Sequence, residues 1–216
     1  PLPDSPITFT KHVVDGSNSR AAFTVAADVL PGQGKELVTT SFQNSSGGPG
    51  TVSIYQRQGS GLDNWTRTEV VGVADGIKFP NEVTVADING DGRQDMIVPG
   101  GFFTCTFFGA PACGSLQWFE QPVSGPWIRH QIVPLGADRF YHRGVLEDVD
   151  GDGILDKVTN GETANDALME WFKGTASGDR FETTARPIGY GGGSLPIVRD
   201  VDGDGDTDVV SGQLFD

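Results

Sequence analysis

A nine-residue phrase rich in oxygen side chains occurs three times. It reads Asp87-Ile-Asn89-Gly-Asp91-Gly-Arg93-Gln-Asp95, then Asp148-Val-Asp150-Gly-Asp152-Gly-Ile154-Leu-Asp156, then Asp200-Val-Asp202-Gly-Asp204-Gly-Asp206-Thr-Asp208. Side-chain oxygens fall at positions 1, 3, 5 and 9, with glycines at 4 and 6. Ca²⁺ is a hard cation that takes about 6–8 oxygen ligands. A tightly curled loop turns its odd positions toward one ion, and glycine tolerates the positive φ that the curl requires. Position 7, held by Arg93, Ile154 and Asp206, would add a backbone carbonyl. The phrase is not an EF-hand, which ends in a bidentate Glu at position 12 between two helices. Position 12 here is Val98, Thr159 or Ser211, and the flanks are short β-type runs. The plainer alternative is three solvated acidic turns, because Asp-Gly is ordinary turn chemistry. Identical ligand spacing in three copies favours three calcium sites.

A second group of chemistry-bearing residues precedes the second phrase. Arg139, Tyr141, His142 and Arg143 stand within five residues. His has the side chain that titrates nearest neutrality. An arginine that neutralises a carboxylate, with a His and a Tyr as base and acid, is the set that β-elimination from a uronic acid needs. The alternative is a polar loop whose His and Tyr cap strand ends. His12 and His130 sit in runs read as outer strands and are expected at the surface.

These residues must be positioned by strands. The aspartates that open the units, counting a degenerate Asp28, are separated by 59, 61 and 52 residues, periods suited to repeated blades or solenoid units. Each unit reads as four strands. In the second unit they fall at Glu82–Ala86, Asp95–Val98, Ser115–Glu120 and Trp127–Val133. Third strands share an apolar-aromatic alternation, as in Leu116-Gln-Trp-Phe119 and Leu168-Met-Glu-Trp-Phe172. Fourth strands begin on an aromatic, at Trp65, Trp127 and Phe181. No segment keeps a helical period over ten residues, so the fold class is all-β. Trp65, Trp118, Trp127 and Trp171 recur at repeat positions and are expected in the core between units. In the first unit, Asp28-Val-Leu-Pro-Gly-Gln-Gly-Lys-Glu36 has lost the oxygens of positions 3 and 5 and should turn without metal.

The calcium phrase between apolar runs resembles the FG-GAP/VCBS repeat of integrin-like β-propellers, over nearly the whole chain. The resemblance implies a propeller of four-stranded antiparallel blades with calcium loops. Blades would span approximately residues 17–72, 73–134 and 135–189, with a partial blade at 190–216. Residues 7–14 would form the outer strand of a closing blade. Integrin-like rings close with about seven blades, so the chain would be about half of one. The missing half is expected from further chain or from a second polypeptide, with a small closed ring as the alternative. The resemblance also implies a ligand face opposite the calcium loops, built from the segments that lead into each first strand. His142, Tyr141 and Arg143 would be catalytic there. Arg20, Lys78, Asn81, Arg139 and Tyr190 would bind substrate.

Composition narrows the partners. Lys+Arg 15 against Asp+Glu 29 gives a net charge of −14, which argues against nucleic acid and anionic membranes. Three bound Ca²⁺ ions would offset six of those charges. No apolar run is long enough for a membrane span. Cys105 and Cys113, the two cysteines of the chain, read as one disulfide closing a surface loop. Asn44-Ser-Ser46 and Asn64-Trp-Thr66 are glycosylation sequons. Calcium and a disulfide together place the protein outside the cell.

The resemblance extends to secreted polysaccharide lyases with seven-bladed propellers. It implies a polysaccharide or glycan ligand, cleaved by β-elimination. Integrin-like lectins and non-catalytic interaction propellers share the repeat and remain as alternatives. A lectin would repeat its sugar-binding residues in every blade, and here the lead-in segments diverge.

Overall fold

The computed structural model describes residues 8–18, 20–32, 34–42, 48–101, 112–163, 166–190 and 195–212. Among these the chain is all-β, with four antiparallel sheets in chain order. The first holds β1 (Ala21–Ala27), β2 (Glu36–Ser41), β3 (Thr51–Arg57) and β4 (Trp65–Val71). The second holds β5 (Thr84–Ala86), β6 (Asp95–Gly100), β7 (Gly114–Glu120) and β8 (Ile128–Ala137). In the third, β9 (Phe140–Tyr141) and β10 (Val145–Glu147) both pair with β11 (Asp156–Glu162), followed by β12 (Ala167–Gly174) and β13 (Phe181–Tyr190). The fourth is a two-stranded pair, β14 (Ile197–Arg199) and β15 (Asp208–Val210). Apart from β9, which pairs with β11, each strand pairs antiparallel with a sequence neighbour. The expected strands of the second unit are found, the first beginning at Thr84 rather than Glu82.

Side-chain alternation builds the core. Successive residues of a strand face opposite sides of its sheet. Met96 and Val98 of β6 join a cluster with Val38, Val52 and Ile54 of the first sheet. Ile97, between them, joins Leu116, Trp118, Tyr141 and Phe172, which ties the second sheet to the third. All six residues of β6 are buried for that reason. Full burial of an aliphatic side chain stabilises by about 1.5–3 kcal/mol, and Trp118→Ala would cost about 3–5 kcal/mol. Close approach of backbones constrains the same region. A Cβ on Gly114 would lie 1.5 Å from the Arg139 carbonyl, so a side chain there would push β9 away.

The tryptophans differ from expectation. Trp118 alone of the four is fully buried. Trp127 packs partly against the first cluster. Trp65 is half-buried, donating its indole N–H to the Leu62 carbonyl. Trp171 lies half-buried under the Arg186 guanidinium, 4.8 Å from the ring centroid. Trp171 is next to Phe172 on β12 and so takes the face opposite the cluster shared with the second sheet. His130 is no free surface residue. It stacks on Trp118 with centroids 4.1 Å apart, and its ring nitrogens lie 3.1 Å from Glu120 and 3.2 Å from Asp179.

Residues 8–14, expected as an outer strand, form no strand here, and His12 Nδ1 lies 3.0 Å from Asp63. The face of the first sheet turned away from the second is polar rather than apolar. The Tyr55 hydroxyl donates to Asp15 at 2.8 Å, and Asn18 donates to Ser41 and Tyr55. Thr24 and Thr39 exchange a hydrogen bond of 3.0 Å on the same face. Cys113 is disulfide-bonded; Cys105 and Asn44 lie outside the described residues. No helix is long and apolar enough to cross a membrane among the described residues.

Candidate metal loops and the polar cluster opposite them

The three phrases fold alike. Glycines 4 and 6 all have positive φ, from +74° at Gly151 to +93° at Gly205. The first aspartate folds the loop onto itself, and in every copy it accepts the N–H of the glycine at position 6: Gly92 at 2.9 Å, Gly153 at 2.8 Å and Gly205 at 3.1 Å. The position-9 carboxylate accepts the N–H of position 2: Ile88 at 3.1 Å, Val149 at 2.9 Å and Val201 at 2.8 Å. The degenerate loop keeps this last device. Glu36 accepts the N–H groups of Val29 and Leu30, so that turn closes without the lost oxygens.

Two acidic clusters could hold a metal ion. Ligand oxygens of Asp148, Asp150 and Asp156 all lie within 4.8 Å of one another, as do those of Asp200, Asp202 and Asp208. The first loop has the same curl from Asp87, Asn89, Asp91 and Asp95, with an amide at position 3. The donor set is oxygen alone, which fits a hard cation. Asp95 and Asp156 are fully buried, and burial pushes both carboxyls above the usual carboxylate range. Each accepts backbone N–H groups, Asp95 from Gln121 at 2.8 Å and Asp156 from Gly174 at 2.6 Å. A cation would favour their charged form. Arg93, Ile154 and Asp206 stand at position 7, each with its N–H bonded to the position-5 carboxylate, at 2.9, 2.9 and 2.8 Å.

The other ends of the same strands carry a polar cluster. Asn81 and His142 each stand six residues before the first aspartate of their loops, in neighbouring units. Their backbones dock alike, with the Asn81 N–H on the Pro99 carbonyl and the His142 N–H on Asn160. Their side chains meet, with Asn81 Nδ2 3.2 Å from His142 Nδ1. On the other side of the imidazole, Nε2 lies 3.2 Å from Glu162 Oε1, too poorly aligned for a hydrogen bond. Both side-chain atoms of Asn160 are buried without a partner as well. Glu162 and Asn160 were not singled out from sequence. The signal was present: β11 reads Asp-Lys-Val-Thr-Asn-Gly-Glu where its sister β6 reads Asp-Met-Ile-Val-Pro-Gly. A buried strand with that many polar residues must satisfy them somewhere.

The remaining expected site residues are spread out. Tyr141 faces the core between the second and third sheets; burial pushes its hydroxyl up, and the nearby Glu170 carboxylate adds to this. Arg143 donates to Glu82 at 2.9 Å. That pair lines a cavity of about 410 Å³ between β1, β5 and β10, walled by Val25, Val85 and Leu146. Arg139 donates to the Gly161 carbonyl and to Asp166, both at 2.9 Å. Lys78 is half-buried and contributes its carbonyl to the Gly101 N–H. Arg20 is exposed, and its carbonyl accepts the Phe42 N–H. Tyr190 ends β13 with 89% of its surface exposed. The structure therefore brings His142 and Asn81 together and separates both from Tyr141, which ends β9 facing the core.

No family profile matches the chain, and no curated protein sequence matches it.

Proposed function

We propose that the chain is part of a secreted, calcium-stabilised β-propeller of the FG-GAP/VCBS type that cleaves an acidic polysaccharide. The repeat order supports the propeller reading. Four-stranded antiparallel units follow one another, and the first strands β5, β10 and β14 are successive neighbours. The calcium reading rests on the oxygen donors of the three loops. A disulfide at Cys113 agrees with an oxidising compartment.

The observation that carries the site is the Asn81–His142 contact across two sheets, with Glu162 behind the imidazole. Asn81 donates to one ring nitrogen, and the Glu162 carboxylate lies against the other without a hydrogen bond. In β-elimination, the substrate would displace the Asn81 amide from His142 Nδ1, and that nitrogen would take the C5 proton of a uronate. The electron pair forms the C4–C5 double bond, the C4–O bond breaks, and the proton returns to the leaving oxygen. Arg143 would exchange Glu82 for the substrate carboxylate and so acidify the C5 proton. The hydroxyl of Tyr141, whose side chain faces the core, has no part in this step. The other part of the ring is the expected protein partner.

The test is a panel of uronic-acid polysaccharides incubated with the calcium-loaded protein, followed by the ultraviolet absorbance of the unsaturated product. Product formation that His142→Gln abolishes supports the reading. Binding without product would make the protein a lectin, and neither would leave an interaction module.

A further inference from the structure

The three loops are alike in backbone and unlike in their surroundings. In the second, the Lys173 ammonium lies on Asp150 and Asp152. Lys173 follows Phe172 on β12, so the third strand of the unit delivers it to the loop. In the first loop, Arg93 pairs with Asp91, while its Nε donates to the Gln121 carbonyl at 2.7 Å. That loop also has Asn89 in place of an aspartate, and Asn89 donates to Glu120.

The third loop has five aspartates, at 200, 202, 204, 206 and 208, in nine residues. All Lys and Arg residues of the chain are among the described residues, and none forms an ion pair with these five. Like charges this close repel whenever nothing neutralises them. Little else holds the unit. β14 and β15 have three residues each, and Ile197 and Val210 are 55% and 47% exposed. A two-stranded sheet of that size is marginal in water.

We propose that Lys173 and Arg93 are built-in counter-cations that keep the second and first loops folded without metal, and that the third loop, which has none, folds only around a bound divalent cation. The proposal rests on the calcium reading of the loops and adds an order to it. Calcium then acts on this chain chiefly at one end. It switches residues 197–210 from an open to a paired state, while the other sheets persist in its absence. Lys173 would also compete with the ion at the second loop, so its removal should tighten calcium there while making the unit depend on it.

The experiment is hydrogen exchange on the full chain in chelator and in calcium alone, with calorimetry to count bound ions. Amides of 197–210 are expected to gain about tenfold or more protection on calcium, and those of 95–120 and 156–174 less than about threefold. In Lys173→Met, the 156–174 segment should lose protection in chelator and regain it with calcium. Recovery by calcium separates this effect from simple misfolding. Equal protection of 197–210 in both conditions would overturn the proposal. So would equal gains in all three units of the wild type, or a Lys173→Met chain that is protected at 156–174 in chelator. Absence of any calcium binding heat would overturn the calcium reading as well, whereas binding with a uniform response would overturn the order alone.

Discussion

Asn81 and His142 occupy the same place in successive repeats, and their side chains touch at 3.2 Å. Repetition alone puts equivalent positions at the same height in neighbouring units. The strand connection then decides that these two face each other. Removing either leaves a buried polar partner unpaired, at a cost of about 1–3 kcal/mol. His142→Ala and Asn81→Ala should therefore each lower stability by that amount in denaturant titrations. The double variant should lose less than the sum, since the two share one contact. Strict additivity would show that the contact contributes nothing.

Lys157 is fully buried on β11, where the sister strand has Met96. Its ammonium donates to Thr84 at 2.8 Å and pairs with no carboxylate among the described residues, and burial pulls it down to about 7. Replacing a buried charge with an apolar side chain of similar length is often stabilising. Lys157→Met should raise stability by about 1–3 kcal/mol in neutral buffer, seen as a higher Tm. A lower Tm would mean that the ammonium has a second partner in solution.

Asp15 fixes the segment that crosses the first sheet. The Ser17 hydroxyl and N–H donate to it at 2.6 and 2.7 Å, and Tyr55 adds a third bond, which together hold its carboxyl down at about 2 against an ordinary 3.8. A depressed carboxyl stabilises the fold above its unfolded pKa and stops doing so as pH falls through its folded one. The contribution is present at pH 4 and above and fades toward pH 2. Asp15→Asn should therefore destabilise at neutral pH and converge with the wild type in acid. Parallel curves of stability against pH for the two proteins would contradict this.

Asp156 accepts N–H groups from Val149 and Gly174 and also stands at ligand position 9. Asp152, exposed and tied to Lys173, stands at position 5. Asp156→Asn should lower stability with or without calcium, because a buried acceptor of two bonds is altered. Asp152→Asn should lower it in both conditions, more in calcium, where a ligand is lost, than in chelator, where one of the two Lys173 contacts is lost. Saturation at about 100 times the Kd stabilises by about 2.7 kcal/mol, which sets the scale of the Tm difference between chelator and calcium. A Tm that calcium leaves unchanged in the wild type would refute metal binding to the folded loops.

The repeated oxygen spacing, the four-strand period and the all-β class were legible because each is a local pattern. Glycines at positions 4 and 6 dictate the loop curl wherever the phrase occurs, and β-branched alternation dictates strands. The degenerate first loop was legible for the same reason, by the oxygens it lacks. Other features belong to packing between units, which local spacing does not encode. Tyr141 and His142 are neighbours in sequence yet face different ways, Tyr141 into the core and His142, just past the end of β9, onto Asn81. Glu162 comes to His142 only through the pairing of β9 with β11. Lys173 reaches Asp150 and Asp152 across 23 and 21 residues, and that contact depends on where β12 ends. The sequence by itself determined which residues could hold a cation and which strands would carry them. The tertiary structure decided which charges meet, because side chains distant along the chain become neighbours only when the strands pair and the sheets stack.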